Sequence, residues 1–216
     1  MQGKTAPMTP DSMSTMSFEA LQTAICIDDQ ARESLRAYDA LLHKWQKRFN
    51  LVGPSTLQDS VRRHFYDSAQ LLALIEDRDA VLVDLGSGAG FPGLVLSILG
   101  MTRVHLVESD ANKCEFLRQV IRITGAGAIV HRSRIEAYDG PKADIVTSRA
   151  CSGLDKLLRY SDAVRSDKAR LLFLKGRSWQ DELTHARTVC HIDLQTHRSE
   201  TDPQGVILDI GGFNDL

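Results

Sequence analysis

A chain of 216 residues that is 43% hydrophobic can bury one core and a small accessory unit. Its 26 Lys and Arg stand against 28 Asp and Glu, and the resulting formal charge of −2 is not that of a protein wrapped in nucleic acid, so any contact with RNA must come from a local basic patch. No apolar run approaches the roughly 20 residues of a membrane span, and the start M-Q-G-K-T-A-P-M-T-P lacks the apolar centre of a secretory signal, so a cytoplasmic protein is expected.

Residues 1–17 are rich in Ser, Thr, Met and Pro without periodicity, and a disordered leader is expected there. Residues 18–78 read as a helical cap. Leu35, Tyr38, Leu41, Leu42 and Trp45 fall at helix spacing, a second set comprises Phe65, Ala69, Leu72 and Leu74, and Gly53-Pro54 breaks the helix between them. Residues 79–216 alternate strand and helix. Strands are predicted at Val81–Leu85, Val104–Glu108, Ala128–His131, Ala143–Thr147 and Arg170–Leu174, with helices at Gly93–Leu99, Ala111–Thr124, Leu154–Val164 and Trp179–Ala186. Two last strands, near Val189–Thr196 and Gly205–Gly211, have no helix between them. The expected fold is therefore α/β: a mainly parallel seven-stranded sheet ending in an antiparallel hairpin at one edge.

The run V-L-V-D-L-G-S-G-A-G-F-P-G at Val81–Gly93 carries the chemistry. An apolar strand breaks into closely spaced glycines before a helix, where unpaired backbone N–H groups and the missing Cβ atoms let a nucleotide-like ligand approach. A dinucleotide fingerprint needs its third glycine where this chain has Phe91. Instead Gly86, Gly88 and Gly90 follow Asp84 in a D-x-G-x-G-x-G pattern that looks like motif I of the Rossmann-like, class I S-adenosylmethionine-dependent methyltransferases. Glu108 closes the next strand about 20 residues on, where an acceptor for ribose hydroxyls belongs.

Other features are quieter. Cys26, Cys114, Cys151 and Cys190 are widely spaced, without C-x-x-C or a nearby His at ligand spacing, and indicate neither a disulfide framework nor a metal site. Basic strings occur at Lys44, Lys47 and Arg48, at Arg62, Arg63 and His64, and at Lys175 and Arg177. Each alone reads as a solvated face, and together they are the available phosphate contacts. Asp67 with His64 or Arg63 is either an internal clamp between cap and sheet or an RNA contact. Phe65, Tyr66 and Trp179 are packing residues or base-stacking platforms.

Seven strings in order now align with one family: N-L-V at Asn50–Val52, R-H-F-Y-D-S at Arg63–Ser68, D-L-G-S-G-A-G-F-P-G at Asp84–Gly93, K-x-x-F-L at Lys113–Leu117, S-R-I-E at Ser133–Glu136, S-R-A at Ser148–Ala150 and L-K-G at Leu174–Gly176. The series resembles the ribosomal RNA small-subunit methyltransferase G family, once called glucose-inhibited division protein B. That resemblance implies S-adenosylmethionine as cofactor and methylation of N7 of one guanine in bacterial 16S ribosomal RNA, naked or in the small subunit, and nothing in the chain demands more than a monomer. It also implies site roles. Gly86, Ser87, Gly88, Gly90 and Phe91 would surround the cofactor, Glu108 would take its ribose, and Ile135 and Glu136 would flank its adenine. Arg149 would face both the methionine end and the base and, with Lys175, is a candidate catalytic residue, and Lys175 and Arg177 would hold nearby phosphates. Glu136 reads equally as a surface residue, and Lys175 as the end of a buried strand. Two other functions fit the motifs without the resemblance: methyl transfer to a small molecule or protein, and a non-catalytic nucleotide-binding module, for which the glycine spacing disfavours NAD.

Overall fold

The computed structural model describes residues 15–149 and 151–215. The expected leader lies outside the described residues as far as residue 14. Its last part belongs to the cap: the Met16 amide donates to Asp59 Oδ1 at 3.0 Å, and Ser17 Oγ caps the first helix through Ala20 N.

Helices α1 (Phe18–Ile25) and α2 (Asp29–Gln46) form the outer cap. Asp28 starts α2 by accepting from Ala31 N at 2.7 Å, which satisfies one of the donors a helix start leaves open. Its Leu35, Tyr38 and Leu42 recur on one face and are fully buried. After the break at Gly53-Pro54 the chain is not one regular helix. A 3-10 segment (Pro54–Asp59) leads into a wide π-turn stretch (Val61–Tyr66) in which the Asp67 N–H reaches back to the Arg62 carbonyl, then a single α-turn α3 (Asp67–Ala69) and a 3-10 end (Gln70–Leu74). Such wide turns concentrate where a helix must place side chains against a site.

Beyond the cap come β1 (Val81–Leu85), α4 (Gly93–Ile98), β2 (Arg103–Glu108), α5 (Ala111–Thr124), β3 (Ile129–Arg132), β4 (Ala143–Arg149), α6 (Leu154–Val164), β5 (Arg165–Lys175), α7 (Trp179–Ala186), β6 (Cys190–Arg198) and β7 (Val206–Asp215). The sheet order is β3-β2-β1-β4-β5-β7-β6. The strands β1 to β5 pair in parallel, while β7 runs antiparallel to both β5 and β6. The expected mainly parallel sheet with a terminal hairpin is what forms. Strand β5 starts earlier than Arg170, where Arg165 pairs with Ala143 of β4, and β7 runs past Gly211, where residues 212–215 pair with residues 190–193 of β6.

Side-chain alternation splits the core in two. Val81, Val83 and Leu85 of β1 face α6, whereas Leu82 faces the cap, α4 and α5. Strand order reverses at β1, whose neighbours are β2 and β4, and the crevice outside the carboxyl ends at such a reversal is where open α/β sheets bind ligands. No helix among the described residues is long and apolar enough to cross a membrane, and among them no three His, Cys, Asp or Glu side chains gather as a metal site.

Candidate functional site

At that crevice lies a cavity of about 710 Å³, within the range of roughly 300–1,000 Å³ typical of small-molecule sites. Its floor is the glycine turn after β1. Gly86, Gly88 and Gly90 all have left-handed φ, at 64°, 57° and 95°. A Cβ on Gly86 would collide with Cys151 Sγ, so the turn can pass close under a ligand only as glycine. The turn is pinned from below: Ser87 N donates to the Val107 carbonyl at 3.0 Å, and Ser87 Oγ to the Asp84 carbonyl at 3.0 Å. Gly90 does not line the cavity. A Cβ there would press on Tyr38 Oη, Leu117 and Leu94, so its bareness serves the fit of cap and helices against the turn.

Asp84 is fully buried beneath the turn and accepts from Thr147 Oγ1 at 2.8 Å, tying β1 to β4. Burial pushes its carboxyl up to about 6, against the pull of hydrogen bonds from Thr147, Ser87 and Gly93 and of Arg149.

Glu108 ends β2 beside the turn. Its Oε2 accepts from Gly88 N at 2.9 Å and its Oε1 from Asp110 N at 2.8 Å. Two backbone amides thus orient the carboxylate, and each oxygen keeps a further lone pair for a ligand hydroxyl. Ile135, half-buried, and Glu136, exposed, reach the same side of the cavity from the short helical turn after β3.

Arg149 ends β4 on the opposite side, with a side chain only 17% exposed. It donates through Nη1 to the Arg63 carbonyl at 3.0 Å, lies 3.5 Å from Asp67 Oδ2, and holds its guanidinium carbon 4.8 Å from the Phe91 ring centre. Phe91 is 3% exposed and sits among aromatic neighbours: stacked on Tyr38 at 5.3 Å and on His64 at 4.9 Å, edge-on to Phe65 at 5.2 Å. Phe65 is fully buried in that cluster, so it packs and offers no face to a base, while Tyr66 and Trp179 are half-buried. Lys175 lines the cavity with its ammonium engaged, donating to the Ser152 carbonyl and to Glu182 Oε2, each at 2.7 Å.

Of the basic strings, Arg63, His64 and Lys175 line the cavity and the others do not. Lys44, Lys47 and Arg48 are exposed at the end of α2, Arg62 pairs with Asp59 at 3.1 Å, and exposed Arg177 donates to Gln204 Oε1 at 2.9 Å. The structure brings in residues that local sequence reading passed over. Asp67 joins Arg149 to the loop between β6 and β7: its Oδ1 accepts from Thr201 Oγ1 at 2.5 Å and from Gln70 Nε2 at 2.9 Å. Asp202 of that loop holds Arg63 at 3.2 Å and completes the wall. Nothing near Thr201 or Asp202 marks them, because their partners are 134 and 139 residues away. The contacts of Asp67 are thus to Arg149, Thr201 and Gln70, partners other than the His64 or Arg63 of the expected clamp.

The residues fit an adenosyl ligand with a charged tail: a bare-backbone cradle at Gly86, a fixed acceptor at Glu108, and a guanidinium at Arg149 across the cavity. Comparison with known proteins agrees. The family model GidB, rRNA small subunit methyltransferase G, matches residues 31–204. The chain is similar to ribosomal RNA small subunit methyltransferase G of Rhodospirillum centenum, 49% identical over 187 residues and 87% of each chain. Among solved structures, MtNAS in complex with S-adenosylmethionine superposes with a TM-score of 0.59 at 18% identity, over 92% of this chain and 85% of that one. A SAM-dependent methyltransferase of Aquifex aeolicus gives 0.57 at 15% identity, over 72% of this chain and 95% of that one, a likeness of fold. The chain belongs to the rRNA small subunit methyltransferase G family.

Proposed function

We propose that the protein transfers the methyl group of S-adenosylmethionine to N7 of a guanine in small-subunit ribosomal RNA. One observation carries this reading: a single cavity is lined by the glycine turn and Glu108, which ends β2, and, across β1, by Arg149, which ends β4, with His64 and Arg63, which suits a donor and an acceptor held side by side. Family membership supplies the substrate class.

S-adenosylmethionine, when bound, supplies an electrophilic methyl group on a sulfonium. The protein's part is alignment and exclusion of water. Gly86 and Gly88 admit the ligand against the backbone, Glu108 accepts from ribose hydroxyls, and Ile135 and Glu136 flank the adenine. Guanine N7 attacks with a lone pair, so no proton leaves first and no general base is needed. The cavity matches that economy: burial and the charges of Arg149 and Arg63 hold His64 down to about 3, uncharged, and Asp67 is spent on Arg149. Lys175 acts through Ser152 and Glu182 as a positioning residue of the wall. The exposed Lys44, Lys47, Arg48 and Arg177, with the half-buried Arg62, hold phosphates outside the cavity.

The test is mass mapping of small-subunit RNA from cells with and without the protein, alongside transfer to unmodified subunits and to a metabolite panel. One methylated guanine that disappears with the protein is expected. An unchanged RNA, or transfer to a metabolite alone, rejects the RNA substrate. Calorimetry separates the cofactor: S-adenosylhomocysteine binds and NAD does not.

A further inference from the structure

His64 carries an acceptor that nothing among the described residues uses. Thr56 Oγ1 donates its one proton to the Gly53 carbonyl at 2.7 Å, so its 2.9 Å contact with His64 Nε2 must be filled by a proton on Nε2. Nδ1 of the uncharged ring then bears a lone pair. That atom is buried and has no hydrogen-bond partner among the described residues, although His64, itself 5% exposed, forms part of the cavity wall. A buried acceptor left unpaired is destabilising, and such an atom is retained where a ligand satisfies it. The imidazole stacks on the same Phe91 ring that carries the Arg149 guanidinium, so a donor-only group and an acceptor atom share one wall.

We propose that His64 Nδ1 and Arg149 together read the target base: Arg149 donates to guanine O6, and His64 Nδ1 accepts from the adjoining N1–H or 2-amino group. The assignment rests on the methyl-transfer reading above and names the residues that choose the base. Guanine presents an acceptor beside a donor on this edge, while adenine presents a donor beside an acceptor. With adenine, N–H would face N–H at Arg149 and lone pair would face lone pair at His64, so the pair rejects as well as selects. The usual bidentate arginine contact to O6 and N7 would block the reacting nitrogen, whereas this arrangement leaves N7 open. Burial and the neighbouring Arg149 and Arg63 keep the imidazole neutral, the state in which Nδ1 can accept. The base reaches Nδ1 by displacing the wall, so its arrival changes His64 directly.

The test uses the full-length protein and RNA carrying guanosine, inosine or 2-aminopurine at the target. Inosine lacks the 2-amino group; 2-aminopurine lacks O6 and N1–H. His64→Phe keeps a ring stacked on Phe91 and removes both ring nitrogens, the Nδ1 acceptor among them. In this variant the preference for guanosine over at least one analogue, read as kcat/KM, shrinks by about tenfold, the worth of one hydrogen bond to a buried acceptor. A variant that slows all three substrates by one factor, or keeps every preference, overturns the proposal. Should the variant fail to fold, the 15N resonance of His64 Nδ1 in the unaltered protein decides: it moves toward the hydrogen-bonded position on addition of guanosine RNA, and an unmoved resonance rejects the contact. Failure of the unaltered protein to methylate guanosine RNA would instead reject the function on which this rests.

Discussion

The Arg149 guanidinium carbon stands 4.8 Å from the centre of the Phe91 ring, at the point where β4 meets the turn that follows β1. Cation–π attraction, the Arg63 carbonyl and Asp67 together hold it, and the price of burying that charge appears as an arginine pKa lowered chiefly by desolvation. Arg149→Ala is therefore expected to lower single-turnover methyl transfer by about 100-fold or more, the scale of losing one preorganised donor at a reacting centre. Measured with saturating cofactor, a near-normal rate would remove Arg149 from the reaction. Arg149→Lys should recover little, because an ammonium cannot serve Arg63, Asp67 and a base edge in one plane.

Gly86 gives a stability prediction. Gly86→Ala places a side chain at φ 64° and against Cys151, and is expected to cost about 1–2 kcal/mol from the left-handed backbone alone. Cofactor affinity by calorimetry falls with it. Adding Cys151→Ala relieves the collision and leaves the backbone term, so urea melts of the double variant recover part of the loss. A single variant as stable as the parent would refute the close approach.

Two buried groups oppose each other in pH dependence. Folded Asp84 keeps its proton up to about pH 6, whereas unfolded it releases it near 3.8, so its contribution to stability is present below 3.8 and lost as pH rises to 6. Folded His64 stays neutral down to about pH 3, whereas unfolded it charges near 6.5, so its contribution is present above 6.5 and lost as pH falls. Between pH 4 and 6 the slopes offset. Asp84→Asn should unmask the histidine slope, making the variant lose about 1.4 kcal/mol per pH unit on acidification relative to the parent. Denaturant melts across that window check it, and parallel curves for the two proteins would show that Asp84 is ionised in the folded state.

Exposed Lys44, Lys47 and Arg48 lie outside the cavity, so their removal bears on RNA and not on cofactor. The triple alanine variant should weaken RNA binding at low salt and flatten the plot of log affinity against log salt by about 0.7–0.9 per lost phosphate contact. S-adenosylhomocysteine affinity stays unchanged. An identical salt slope in the variant would take this end of α2 out of the RNA path.

Much of the fold was legible along the chain. Apolar runs and the alternation of strand and helix periods announce β1 to β4 and their helices because those signals act within a few residues. The glycine turn and Glu108 were legible for the same reason, since their spacing reflects one strand-turn-helix unit. At Gly90 the pattern does not distinguish its reasons, because a glycine looks alike whether it admits a ligand or, as the contacts of a Cβ there show, Tyr38 and Leu117.

The order of residues thus settles the repeating elements, the glycine cradle and the family, all written in short-range pattern. Folding alone settles which distant groups share the cavity: Tyr38 Oη on the Ala89 carbonyl, Arg149 against Asp67, and Thr201 and Asp202 against the cap. Those contacts join segments whose separation leaves no local trace, and burial there gives Asp84 and His64 proton affinities that neither residue has on an extended chain.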